Sequence, residues 1–221
     1  MLVAPDPQAI VRPYEPRDRE SVRRLCCDTA DRGQPVESFY DDREVFADLL
    51  TRYYTDYEPG ASWVAESSGR VVGYLTGCLN SRRYQRIVFY QIAPAAIIRA
   101  IGRGALSSGQ SWRWIKATLR TLQSGDLRWR SQGSDYPAHL HINIEEGFRG
   151  QQIGQRLVER FLDQARAARS RGIYAAISSD NVRSRAFFER FGFTELSRYR
   201  IFIPNESSER ASETVVYGKQ L

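Results

Sequence analysis

The chain has 221 residues, 42% of them hydrophobic and 26% charged, with a formal net charge of +6. Such a composition points to a soluble globular domain with room for a real core, and no apolar run approaches a membrane span. Lys116 and Lys219 are the only lysines; the remaining bases are arginine, which suits bidentate contact with phosphate without demanding a polyanionic partner.

In chain order, AIVRPYE (9–15) reads as a first strand, and ESVRRLCCDTA reads as a helix capped by Asp18. DDREVFADLLTRYYTDY (41–57) spaces Val45, Phe46, Leu49, Leu50, Tyr53 and Tyr54 along one helical face. ASWVAE, the turn SSGR and VVGYLTGCL then form a β-hairpin. Cys26, Cys27 and Cys78 make neither a disulfide framework nor a CxxC metal pattern, and MLVAPDPQAIV lacks the features of a secretion signal. A reducing cytoplasm is therefore the expected location.

Residues 80–136 interrupt the pattern. Helix-like pieces at 94–106 and 109–123 carry Trp112, Trp114 and Ile115 beside Arg99, Arg103, Arg113, Lys116 and Arg120, and the polar SGDLRWRSQGSDYP closes the stretch. With too little apolar surface for a core of its own, it reads as a helical insertion within one domain spanning 1–221. Its tryptophans suit an acceptor pocket, and equally a cover over a sheet edge or a homodimer contact. A nucleic-acid or anionic-membrane contact is a third reading. Arginines on helices ordinarily form a solvated face, so no nucleic-acid partner is expected.

Regularity returns in AHLHINI (138–144), with His139, His141 and Asn143 on one face and Leu140, Ile142 and Ile144 on the other. GFRGQQIGQRL (147–157) opens a helix expected from about Gln151, whose apolar stripe is Ile153, Leu157, Val158, Phe161, Leu162 and Ala165. GIYAAIS (172–178) is a buried strand. SDNVRSRAFFERFGF gives a helix capped by Ser179 or Asp180 and ended at Gly192, and LSRYRIFI and ETVVYGKQ close the chain as antiparallel strands.

The loop at 147–157 carries the first chemistry. A helix start leaves N–H groups without partners at the positive end of its dipole, Gly150 and Gly154 permit close backbone approach, and Arg149 adds a charge. That is a cradle for phosphate or pyrophosphate. No lysine follows Gly154 as a nucleotide P-loop requires, and the dinucleotide Gly-x-Gly-x-x-Gly spacing is absent. Taken alone, the loop is equally a permissive strand-to-helix turn.

Combined with SDNVRSRAFFERFGF, it resembles the paired motifs of the GNAT superfamily of acetyl-CoA-dependent N-acetyltransferases. Arg149-Gly150-Gln151-Gln152-Ile153-Gly154 is similar to the family's Arg/Gln-x-x-Gly-x-Gly/Ala. Asn181, Ser184, Phe187, Phe188, Gly192 and Phe193 are similar to its second motif, with Phe193 read as core. The resemblance covers most of the chain outside 80–136. It implies an α/β (α+β) fold: a twisted, mixed, mostly antiparallel sheet with splayed central strands and helices on both faces.

It also implies acetyl-CoA as co-substrate, no metal, and direct acetyl transfer to the amine of a small molecule or protein. The coenzyme A site it implies comprises Ile142, Ile144, Phe148, Arg149, Gly150, Gln151, Gln152, Ile153, Gly154, Gln155, Asn181, Ser184, Phe187 and Phe188. The N–H groups of 149–155 would hold pyrophosphate, and the backbone of Ile142 and Ile144 would pair with the pantetheine arm. Asn181 would hydrogen-bond that arm and Phe187 would pack on it. The acceptor-side candidates are His141, His139 and Asn143; Glu145 is ordinarily solvated. Histidine titrates in the useful range, but a polar strand face is the plainer role for the pair, and a metal lacks a third ligand.

Two departures qualify the match. Gln152 replaces the first glycine of the pair, and Phe188 stands where many members carry the tyrosine that protonates the departing thiolate. A thiol of ordinary pKa about 8.5 leaves reasonably well unaided, and Tyr199 or water are substitutes. The departures favour the alternative of a non-catalytic acyl-CoA-binding or interaction module. HLHIN, the cradle and YEPGASWVAE also resemble the acetyltransferase-like domain related to O-GlcNAc hydrolases, a subgroup that implies the same alternative.

Overall fold

A computed structural model of the chain describes residues 9–30, 33–104, 107–124, 134–204 and 209–221. Its strands are β1 (Ile10–Pro13), β2 (Trp63–Ser67), β3 (Arg70–Cys78), β4 (Ala138–Ile144), β5 (Gly172–Ser178), β6 (Thr194–Pro204) and β7 (Glu209–Gln220). They form one sheet in the order β1-β2-β3-β4-β5-β7-β6. All neighbours are antiparallel except β4 and β5, which pair in parallel only at Ala138–Ile173 and His139–Tyr174. Beyond His139 the two central strands part, and the sheet opens between them.

Helices cover both faces. α6 (Ile153–Ala167) buries the stripe expected from its spacing against Ala65, Val72, Leu75 and Leu140. α1 (Arg19–Asp28) buries Val22, Leu25 and Cys26 against Val64, Val71 and Tyr74. Neighbouring strand residues such as Tyr74 and Leu75 point to opposite faces, so α1 and α6 sandwich the sheet. Full burial of a side chain such as Leu157 or Phe161 stabilises by about 1.5–3 kcal/mol.

Several local expectations change. Asp18 does not cap α1. Its buried carboxylate receives two bonds from Arg12 of β1 at 2.7 and 2.8 Å, and the Glu15 N–H at 2.8 Å. Two bonds to the Arg12 guanidinium outweigh a single bond to a helix N–H. α2 (Arg43–Arg52) is shorter than the apolar spacing suggests and runs on as one π turn, Tyr53–Tyr57, with Tyr53 and Tyr54 buried.

The stretch read as an insertion holds more helix among its described residues than its sequence advertises. α3 (Ser81–Ile87), a π turn over Val88–Ile92 and α4 (Ala93–Gly102) form one continuous rod. Asn80 caps it by accepting the Arg83 N–H at 3.0 Å. Pro94 lacks an N–H and crowds the preceding turn, so in sequence it reads as a helix start. The wider π turn just before it accommodates the ring without ending the helix.

α5 (Gly109–Gln123) lies along the edge strand β6, where Thr121 Oγ1 accepts the Phe202 N–H at 2.9 Å and Arg120 sits 4.4 Å from the Phe202 ring centre. Trp114 packs on Tyr40 with ring centres 5.2 Å apart, whereas Trp112 is exposed. The insertion thus spans from the α1–α2 side to the far sheet edge. Residues 105–106 and 125–133 of the expected pieces lie outside the described residues.

Candidate active site

The open edge of β4 follows from strand alternation. Glu145 N–H donates to the Val72 carbonyl at 2.9 Å, so His139, His141 and Asn143 also turn their backbone groups toward β3. Leu140, Ile142 and Ile144 turn theirs toward the side that β5 has left. The Ile144 carbonyl there accepts Arg149 Nε at 3.0 Å, and the backbone groups of Ile142 and the Ile144 N–H turn to the same side.

The loop after β4 makes a 3-10 turn over Glu146–Phe148, then passes through two left-handed residues, Gly150 (φ +86°) and Gln152 (φ +59°). α6 begins at Ile153, two residues later than expected, because left-handed Gln152 is the N-cap residue and interrupts the helical backbone. Its first bond runs from Arg156 N–H to the Gln152 carbonyl. The N–H groups of Ile153, Gly154 and Gln155 therefore have no partner within the helix.

These groups border a cleft of about 1590 Å³ between the splayed strands. Ile142, Asn143, Ile144, Phe148, Arg149, Gly150, Gln152, Ile153, Gly154 and Gln155 line it on one side, and Asn181, Ser184 and Phe187 on the other. Gln151 is exposed on the outside of the loop and is not among the lining residues. Gly154 is held tightly: a Cβ there would lie 3.2 Å from Ile144 Cδ1 and 3.3 Å from Phe187 Cζ.

The acetyltransferase (GNAT) family model matches residues 125–193, the stretch that contains β4, the loop, α6, β5 and the helix that follows. The solved structure of SsHAT aligns with a TM-score of 0.73 at 27% identity, over 97% of this chain and 98% of that one. Residues 125–193 thus match the GNAT acetyltransferases, and the whole chain is similar to them in fold. The same fold is seen in the acetyl-CoA complex of yncA, a putative acetyltransferase from Salmonella typhimurium (TM-score 0.57, 15% identity, 97% of this chain and 94% of that one). Polyamine N-acetyltransferase from Drosophila melanogaster shares it too (TM-score 0.60, 15% identity, 96% and 100%).

Beside this similarity, the departures from the GNAT motifs gain physical content. The glycine that Gln152 replaces belongs at a left-handed position, where any other residue is strained by about 1–2 kcal/mol. Phe188 is not at the GNAT cleft. It is 3% exposed and packs between Phe187 and Phe193 in the main core, and it lines the smaller cavity described below.

Asn181, rather than Ser179 or Asp180, caps α7 (Val182–Arg190), its Oδ1 accepting the Ser184 N–H at 3.0 Å. Three consecutive residues could cap, and only the backbone path selects among them. The Asn181 oxygen is thereby engaged, and its amide NH2 is the group left to reach a ligand.

The two histidines differ sharply. His139 is buried. Its Nε2 lies 2.8 Å from Tyr54 Oη and its Nδ1 2.8 Å from Ser81 Oγ, and Ser81 Oγ also donates to the Pro137 carbonyl at 2.8 Å. With the serine proton so placed, Nδ1–H donates to Ser81 and Nε2 accepts from Tyr54. His139 thus clamps α3 and the π turn onto β4 and presents nothing to the cleft.

His141 lies just past the parting of the strands, on a second cavity of about 200 Å³ with Tyr74, Thr76, Leu140 and Asn143. The residue is exposed to solvent. The protein around it lowers its pKa below the ordinary histidine value, so the ring is neutral at pH 7. Asn143 Nδ2 donates to Tyr74 Oη at 2.9 Å, which leaves its carbonyl oxygen as the free end.

Some contributors were out of reach of sequence reasoning. Thr29, Ala30 and Gly33 close the cleft from the turn after α1, and Arg183 and Arg190 of α7 add cations to its wall. The basic character of VRSRAFFER was a visible signal for the arginines. Nothing local marks residues 29–33.

Both histidines prefer the neutral form in the fold, His139 well below its ordinary pKa through burial. Above about pH 6.5 neither state is protonated there, and this contribution to stability is fully present. As pH falls from about 6.5 toward 4, the unfolded chain takes up protons that the native protein resists, so stability falls. Urea unfolding across this range should show that loss, and a His139→Gln variant should reduce its slope. A flat profile would contradict the buried neutral His139.

Proposed function

We propose that the chain is an acetyl-CoA-dependent N-acetyltransferase acting by direct transfer. The observation that carries the reading is the meeting of the two cavities along β4, where both are lined by Ile142 and Asn143. One is long and bordered by the cradle and arginines; the other is small and bordered by His141. A coenzyme A polyphosphate fits the N–H groups of 153–155 and Arg149, and its extended arm fits the free edge at Ile142. The thioester would then sit at the junction, with an acceptor amine entering from the small cavity.

There the amine nitrogen attacks the thioester carbonyl carbon, the carbon–sulfur bond breaks, and its electron pair leaves with the thiolate. Neutral His141 and the Asn143 oxygen orient the amine or a water that removes its proton. Cys26 also lines the small cavity, but burial pushes its thiol up to about 12, so it stays protonated and no acyl-cysteine intermediate is involved. No tyrosine lines the large cleft among the described residues, and the thiolate takes its proton from water.

That last feature is what favours the second reading, an acyl-CoA-binding module without turnover. Purified protein with acetyl-CoA and a panel of amines, followed by free-thiol release, separates the two. Thermal stabilisation by coenzyme A together with amine-dependent thiol release is the expected result. Stabilisation with no release for any amine supports the module, and no stabilisation at all overturns both.

A further inference from the structure

From Leu79 to Gly125 the sequence contains no aspartate or glutamate, while it carries seven arginines and one lysine. The whole chain has a net charge of +6, so the insertion's excess of +8 accounts for all of it. The helix from Ser81 to Gly102 within this segment is apolar on two sides. Val88, Ile92 and Ala96 face inward and pack on the protein. On the outside, Phe89 (62% exposed), Tyr90 (71%), Ile97 (59%), Ile98 (71%) and Ile101 (50%) stand in water. Arg82 and Arg86 are exposed one to two turns before Tyr90, and Lys116 is exposed on α5. Arg99 and Arg103 are tied to Asp48 and Asp42 of the N-terminal region and anchor the rod rather than offering charge.

A row of three isoleucines and two aromatics on a rigid, already anchored helix calls for an occupant. Nucleic acid would satisfy the arginines and leave the isoleucines in water. A second copy would bury the isoleucines but bring two segments of like charge face to face. An anionic bilayer satisfies both, taking isoleucine at the acyl boundary, tyrosine at the headgroups and arginine at anionic lipid. Among the described residues no helix is long and apolar enough to cross a membrane, so the contact lies at the surface. We propose that the outer face of the Ser81–Gly102 helix docks the protein on anionic membranes.

The test is co-sedimentation of the full chain with vesicles of phosphatidylcholine alone or mixed with phosphatidylglycerol. Binding should require phosphatidylglycerol and weaken with salt. A double substitution Ile97→Asn and Ile98→Asn should abolish it at an unchanged melting temperature, since both side chains are exposed. Arg82→Gln with Arg86→Gln should weaken it about tenfold or more. Failure to bind phosphatidylglycerol vesicles, or binding indifferent to the isoleucine pair, overturns the proposal. So does a dimer in light scattering that the same pair dissolves, which would make a second copy the occupant, or equal binding to short duplex DNA.

Discussion

Gly154→Val is expected to lower coenzyme A affinity by about 10- to 100-fold, read by calorimetric titration, with the protein still folded. A Cβ at 154 meets Ile144 Cδ1 and Phe187 Cζ at 3.2 and 3.3 Å, so a branched side chain must displace one of them. Both neighbours line the cleft, and overpacking of this kind costs about 1–3 kcal/mol. The bulk also enters the space where a ligand would approach the N–H groups of 153–155. Gln152→Gly should act in the opposite sense. Relief of a left-handed strain of about 1–2 kcal/mol stabilises the loop, and affinity stays equal or tightens. A large loss in Gln152→Gly, or none in Gly154→Val, would mean that the loop holds something other than the pyrophosphate.

The largest stability effect is expected at Asp48. Its carboxylate, 2% exposed, bonds Arg23 of α1 at 2.6 Å through one oxygen and Arg99 of α4 at 2.6 Å through the other. Arg23 is itself buried and reaches Glu44 at 2.6 Å. Asp48→Ala would leave a buried guanidinium without its buried partner, a loss of about 3–5 kcal/mol, toward the lower end because Glu44 remains. Arg99 is half-exposed, so Arg99→Ala should cost no more than about 1 kcal/mol. Urea unfolding of the two variants checks the order, and an Arg99→Ala loss equal to that of Asp48→Ala would show that the exposed pair, not the buried one, holds the insertion.

The paired histidines show where sequence stops being sufficient. His139 and His141 share a strand face, and alternation alone makes them equivalent. They part because β4 leaves β5 between them, and because the partners that bury His139 come from 85 and 58 residues away. The same limit applies to the cap of α7, expected at Ser179 or Asp180 and supplied by Asn181. It applies to Pro94 as well, which local rules read as a helix start and which a π turn carries through an unbroken rod.

The sequence by itself determined the apolar stripe of α6, the alternation of β4, and the glycine-rich loop between them, because each depends on periodicities within a few residues. It also carried the resemblance to GNAT acetyltransferases through two motifs a fixed helix and strand apart. Only the tertiary structure decided that the loop turns through Gly150 and Gln152 before the helix begins, that Phe188 faces the core, and that His141 alone of the pair reaches a cavity. Those outcomes depend on which distant elements pack against each residue, and burial, strand separation and hydrogen-bond partners are properties of the assembled sheet rather than of any window of the chain.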